Sequence, residues 1–167
     1  MSSSAVEVTD PAVLEEILSS SPSCRIGFAA GTTPYIVNLC YGYEWRTGFR
    51  QKGVDDEAWV LNLYFITATK GRTIDFLRKN NLVCFELDIV HGHDGSGAIA
   101  CEWGMKYQSI VGLGILEDVE DEEERRKALE LFFGHYGEKP RQACDDEAEP
   151  KRFLRLEVTE YTARQRL

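Results

Sequence analysis

"WVLNLYFITATKGRTIDFLRKNNLVCFELDIV", residues 59–90, changes its hydrophobic period twice. At first the period is two, so Trp59, Leu61, Leu63, Phe65 and Thr67 share one strand face. The opposite face carries Val60, Tyr64 and Ile66, which predicts a central strand covered on both sides. From Lys70 to Asn80 the spacing becomes helical: Ile74 and Leu77 point inward, while Asp75 and Lys79 can pair at i,i+4 on the solvent side. Residues 82–90 return to extended structure. Between strand and helix lies Thr67-Ala68-Thr69-Lys70-Gly71-Arg72. A helix that starts near Thr69 or Lys70 leaves its first N–H groups without intrahelical partners. The dipole there favours Asp or Glu, yet this sequence supplies Lys70 and Arg72. That inversion suits a bound phosphate. A threonine cap flanked by two solvated cations is the plainer reading of the same residues, and the local sequence leaves both open.

Working outward, Asp10-Pro11 starts a helix, with Asp10 as cap and Pro11 at the first helical position. Val13, Leu14, Ile17 and Leu18 form its apolar stripe, and residues 19–22 end it. Two extended runs follow, 24–30 and 34–44, joined as a hairpin through residues 31–34. Residues 45–58 are polar and glycine-bearing, an expected surface excursion. A glycine-rich loop at 91–97 leads into a long extended stretch from Ala98 to about Glu117. Residues 121–124 open a further helix as a capping box, with Ala128, Leu129, Phe132 and Phe133 on its buried side. Residues 153–166 alternate as a last half-buried strand. Six or seven strands with three helices, joined mostly by hairpin-length connections, argue for an antiparallel barrel or sandwich with helical additions. The 167 residues suit one domain, 1–167, of mainly β (α+β) class.

Net charge is −9, and seven of the eight residues from 117 to 124 are acidic, a field that repels nucleic acid and anionic membranes. No apolar run reaches the length of a membrane span, and no secretory signal is evident, so a cytoplasmic location is expected. The five cysteines are scattered without Cys-x-x-Cys spacing, and Cys40 and Cys84 read as small core residues. His91-x-His93-Asp94, with Cys101 downstream, matches no closed zinc motif, so no metal is expected. His135, late in its helix, suits a cation near the negative dipole end. Gly112-Leu113-Gly114 lacks the third glycine and the helix of a dinucleotide fingerprint; those glycines mark a bend or a close approach in a strand.

In order along the chain, "RIGFAAGTTPYIVNLCYGYE" (25–44), "LYFITATKGRTIDFLRKNN" (63–81), "VCFELD" (83–88) and "ACEWGMKYQSIVGLGILEDVED" (100–121) resemble the pyridoxamine 5'-phosphate oxidase-like flavoproteins. The resemblance is closest to their flavin-nucleotide-binding branch, which includes 5-nitroimidazole-resistance reductases. It implies a six-stranded antiparallel split barrel with peripheral helices, a homodimer, and FMN (or FAD) between the subunits. Carried over by position, Ile66 and Thr67 would line the flavin or its ribityl chain, and Lys70, Arg72 and Thr73 would hold the phosphate. The strand with Ile36, Val37, Asn38 and Leu39 would pass the ring edge with backbone groups, and Tyr107 and Ser109 would approach from the partner subunit. The implied activity is flavin-dependent reduction of a small organic acceptor, with a small-molecule electron donor. A non-catalytic flavin-binding module, or a split barrel using heme or a deazaflavin, are the alternatives. Many members read "LYFHSAKEGR" where this chain has Ile66 for the histidine, so a role that needs that histidine is not implied here. A pyridoxamine-phosphate oxidase proper would need a second basic cluster, which the linear sequence does not display.

Overall fold

The computed structural model describes residues 5–48, 58–94, 103–139 and 150–167. Its elements in chain order are β1 (Val6–Glu7), α1 (Pro11–Ser20), β2 (Cys24–Ala30), β3 (Thr33–Leu39), β4 (Gly42–Gly48) and β5 (Ala58–Ala68). They continue with α2 (Arg72–Lys79), β6 (Leu82–Asp94), β7 (Gly104–Asp118), α3 (Glu122–His135) and β8 (Lys151–Arg166). The strands form one sheet in the order β3-β2-β6-β7-β8-β5-β4, with β1 added to β8. All described pairings are antiparallel, and the sheet curls without closing, which is the expected split-barrel architecture.

The described strands number eight rather than six or seven because one expected strand is two and a short one is added. The run 34–44 breaks at Cys40-Tyr41, where the chain leaves one sheet edge, β3, and enters the other, β4. Tyr41 pins that crossing: it is buried, its hydroxyl donates to the Leu18 carbonyl at 2.6 Å, and its N–H donates to the Tyr136 hydroxyl at 3.1 Å. Residues 45–48, expected in a surface excursion, instead continue β4 against β5; the remainder, 49–57, lies outside the described residues. Likewise residues 91–94 extend β6 rather than form a loop, because Gly92, His93 and Asp94 pair with β7 past a register shift that falls at His91.

The inward face follows from strand alternation. Ile26, Phe28, Leu63, Phe65, Phe85 and Leu156 are almost fully buried in one core. β8 is buried on one face, as its alternation predicts, and lies centrally in the sheet; its register with β7 shifts between Leu113 and Gly114. The extra residue reverses the alternation, so Leu154, Leu156 and Val158 face in before the shift and Ala163 after it. Gly112 and Gly114 sit at that bend: a Cβ on either would lie 2.3 or 2.5 Å from a β8 carbonyl oxygen. The close-approach reading of these glycines therefore holds.

Both expected helix caps are present. Asp10 Oδ1 accepts from the Ala12 N–H at 2.9 Å, and Asp121 Oδ2 accepts from the Glu124 N–H at 2.8 Å. The Glu124 carboxylate turns to the sheet, where Oε1 accepts from Arg155 at 2.8 Å and from the Tyr64 hydroxyl at 3.3 Å. The acidic run is thus not simply a solvated face, since β8 arginines bind Glu117, Asp118 and Glu124. α3 covers the second face of β5 through Tyr64, Val119 and Ala128. Cys40 and Cys84 are exposed, contrary to expectation: Cys40 lies at the break between β3 and β4, and Cys84 is on the outward face of β6, while Cys24 is buried.

His135 also differs from its expected role as a cation. It packs among Tyr41, Tyr43 and Tyr136, with Nε2 3.0 Å from the Ser21 carbonyl and Nδ1 buried without a partner. Burial pushes its pKa below the ordinary value, more than the Ser21 carbonyl raises it. The unfolded chain takes up this proton more readily than the folded one. His135 therefore favours the fold fully above its ordinary pKa, and that contribution is lost as pH falls through it. Thermal unfolding at pH 7.5 and 5.5 should show a lower midpoint at 5.5, and His135→Gln should reduce the difference. An equal drop in both proteins would assign it to other groups.

Candidate functional site

β5 ends at Ala68 and α2 begins at Arg72, two or three residues later than the spacing predicts. The N-cap is Gly71, at φ 123° and ψ 177°, a backbone region essentially confined to glycine. No side chain caps the helix, so the threonine-cap reading fails; Thr67 Oγ1 donates to the Ala68 carbonyl at 3.3 Å. The first amides of α2 thus keep their donor capacity. Lys70 and Arg72 are exposed beside them, and neither makes an ion pair among the described residues.

Arg72 is nevertheless held in place. Its guanidinium lies 5.0 Å from the ring centre of Tyr35 on β3 and 5.7 Å from that of Phe76, one turn along α2. Tyr35 and Phe76 are 4.9 Å apart, and Phe28 extends the cluster at 6.0 and 6.4 Å. The Tyr35 and Thr73 hydroxyl oxygens are 3.2 Å apart, so Thr73 ties α2 to the free edge strand. The sequence reading missed Tyr35, Phe76 and Phe28. Only the i,i+4 spacing of Arg72 and Phe76 signals any part of this arrangement, and Tyr35 arrives through tertiary packing.

β8 contributes a second unforeseen group. The register sets Lys151 opposite Ala68 and Arg152 opposite Thr67, so a further basic pair lies at the end of β5. Asp118 binds Arg152 through both carboxylate oxygens and holds its guanidinium pKa above the usual range. Lys151 is exposed and has no ion pair among the described residues. The signal, Lys151-Arg152 ahead of an alternating run, is visible in the sequence, but its neighbour across the sheet is not.

The remaining expected residues divide by face. Thr67 is half-buried on the face that the barrel core uses, while Ile66 lies on the α3 face opposite Phe153. Val37 and Leu39 pack on the core, and Ile36 and Asn38 face outward from the edge strand. Tyr107 and Ser109 lie on β7 opposite Arg166 and Arg164 of β8, whereas the junction lies opposite Lys151 and Arg152 at the other end of that strand, so one chain does not assemble them with the junction. His91 and His93 do not converge: His91 Nε2 is 2.6 Å from Gln108 Oε1, and His93 stacks on Trp103 at 5.5 Å. Cys101 lies outside the described residues.

Solved structures with this fold include a candidate 5-nitroimidazole antibiotic resistance protein from Bacteroides thetaiotaomicron. It shows 25% identity and a TM-score of 0.72, over 96% of this chain and 87% of that one. A FAD-binding protein from Mesorhizobium loti has 18% identity and a TM-score of 0.61 over 98% and 99% of the two chains. A FAD and heme binding protein from Mycobacterium smegmatis has 15% identity and a TM-score of 0.68 over 95% and 72%. No curated protein matches the chain. A family model described as pyridoxamine 5'-phosphate oxidase matches residues 10–165, and the chain belongs to that family.

Proposed function

We propose that this protein is a homodimeric flavoprotein that binds FMN at the β5–α2 junction and passes electrons to a small organic acceptor. The observation that carries the reading is Arg72, a cation free of carboxylates among the described residues, propped on Tyr35 and Phe76 beside an uncapped helix start. Backbone amides, a guanidinium and two lysines, Lys70 and Lys151, form a donor set that fits a phosphate. Thr67 and Thr73 offer hydroxyls next to it for a polyol chain. The flavin-binding proteins among the structural relatives support the same cofactor class. When bound, the flavin supplies the hydride or electron transfer, while the chain's residues hold, orient and desolvate.

A second copy fits the outer face of β2, β6 and β7. A rung of Ile36, Gly27, Cys84 and Leu113 crosses four strands there, and none of the described helices covers it; Ile36 is 66% and Val111 48% exposed. Arg25 with Glu86 and Asp88 borders that patch with both signs of charge, as a self-complementary two-fold interface requires. Tyr107 and Ser109 share this face, consistent with their reaching a partner's flavin.

The test is the visible spectrum of the purified protein, before and after addition of FMN and desalting. Flavin bands that stay with the protein are expected, followed by bleaching on addition of NADH or NADPH and recovery with an acceptor. A heme Soret band would point to the other cofactor, and a colourless protein would leave the junction without its proposed ligand.

A further inference from the structure

A second cavity lies in the split of the barrel and shares no lining residue with the junction. β5 pairs with β8 from Asn62 to Ala68; past Val158 that edge of β8 is taken by β1, at Arg164 and Gln165, while β7 stays paired along the other edge. The wedge left between β4 and the far half of β8 is stopped by β1 and the start of α1, and a cavity of about 690 Å³ remains. Along β8, Tyr161 is ten residues beyond Lys151, up to about 30 Å at the strand rise. The cavity therefore sits towards the opposite end of the barrel from the phosphate cradle.

Its walls have one chemical character. Trp45 and Tyr161 meet edge-to-face across the split, with ring centres 6.4 Å apart at 80°. Val8 and Leu14, both buried, supply apolar surface. Among the described residues, the charged groups in the wall are two carboxylates, Glu7 and Glu15, and no lysine or arginine lines it. The Tyr43 hydroxyl donates to Glu15 Oε1 at 2.5 Å, and burial keeps that phenol protonated, so Glu15 is oriented while Oε2 has no partner among the described residues. We infer that this cavity is a binding site for a flat organic cation, such as an arylalkylammonium, separate from the flavin site. Aromatic faces attract such a cation, the carboxylates pair with it, and the volume lies within the roughly 300–1,000 Å³ of small-molecule sites. An anion of the same shape meets only repulsion there.

The probe is benzyltrimethylammonium, compared with benzenesulfonate by calorimetry on the full chain, with and without saturating FMN. Saturable one-to-one binding of the cation is expected, with the anion at least about tenfold weaker. Glu15→Gln and Tyr161→Leu should each weaken the cation by about fivefold. Should either variant fail to fold, the comparison of the two probes on the native protein still decides. Equal affinity for both probes, no saturable binding, or displacement of the cation by FMN would overturn the inference. The last outcome would assign the cavity to the flavin site. The inference does not rest on flavin binding, since cation binding is measured without FMN as well.

Discussion

Arg72→Ala will raise the dissociation constant for FMN by about 10- to 150-fold, equivalent to roughly 1.5–3 kcal/mol for a charge-assisted hydrogen bond to phosphate. The fold should tolerate the change, because Arg72 is exposed and its stacking on Tyr35 and Phe76 is worth only about 0.5–1 kcal/mol at such a site. Arg72→Lys should fall between: it keeps the charge but loses the planar fork and the stacking on both rings. Tyr35→Leu should weaken FMN binding with the charge intact, since it removes one ring beneath the guanidinium and the Thr73 contact. Quenching of FMN fluorescence in a titration gives all three constants. Wild-type affinity in Arg72→Ala would move the phosphate away from this junction.

Gly42→Ala should cost about 3 kcal/mol, the upper part of the overpacking range, and Gly42→Val should detach α3 altogether. A Cβ on Gly42 would lie 2.4 Å from the Phe132 nitrogen and 2.5 Å from the Leu131 carbonyl carbon. These are helix backbone atoms, so no rotamer change relieves the clash and α3 itself must shift. The shift would expose Tyr64, otherwise buried with Val119 and Ala128, and strain the Glu44–Lys127 and Arg155–Glu124 pairs. For a chain of this size, about 3 kcal/mol lowers the unfolding midpoint by roughly 6–12 °C. Gly134→Ala is the control: it lies in the same helix with nothing within 4 Å of the added carbon, and should stabilise by up to about 1 kcal/mol. Hydrogen exchange of α3 amides would locate the Gly42 effect. An unchanged midpoint in Gly42→Ala would mean that α3 does not dock on Gly42.

The two rings under Arg72 illustrate where local sequence stops being informative. Residues 59–90 determined a strand, a junction and a helix by themselves, because side-chain period and turn chemistry act over a few residues. Asp10 and Asp121 were legible as caps for the same reason, since a cap bonds to an amide two or three positions away. The cations at the junction were equally plain, and so was the apolar character of both faces of β5. The helix start was misplaced by two or three residues because Gly71, with its positive φ, replaces a threonine cap. That choice depends on how β5 hands the chain to α2, not on the intrinsic preference of Thr69.

Only the tertiary structure decided which distant residues complete the site. Tyr35 reaches Arg72 because β3 is an edge strand beside α2, and Lys151 lies opposite Ala68 because β8 adopts one register against β5. Neither pairing leaves a mark on local spacing, since register is set by the burial of whole strand faces. The same holds for His135: its helix position suggested a cation, but packing among three tyrosines removed the water that would stabilise the charge. The sequence by itself determined the kinds of element and the sign of the charge at the junction. The fold decided their neighbours, because contacts across a sheet depend on register and burial along the entire chain.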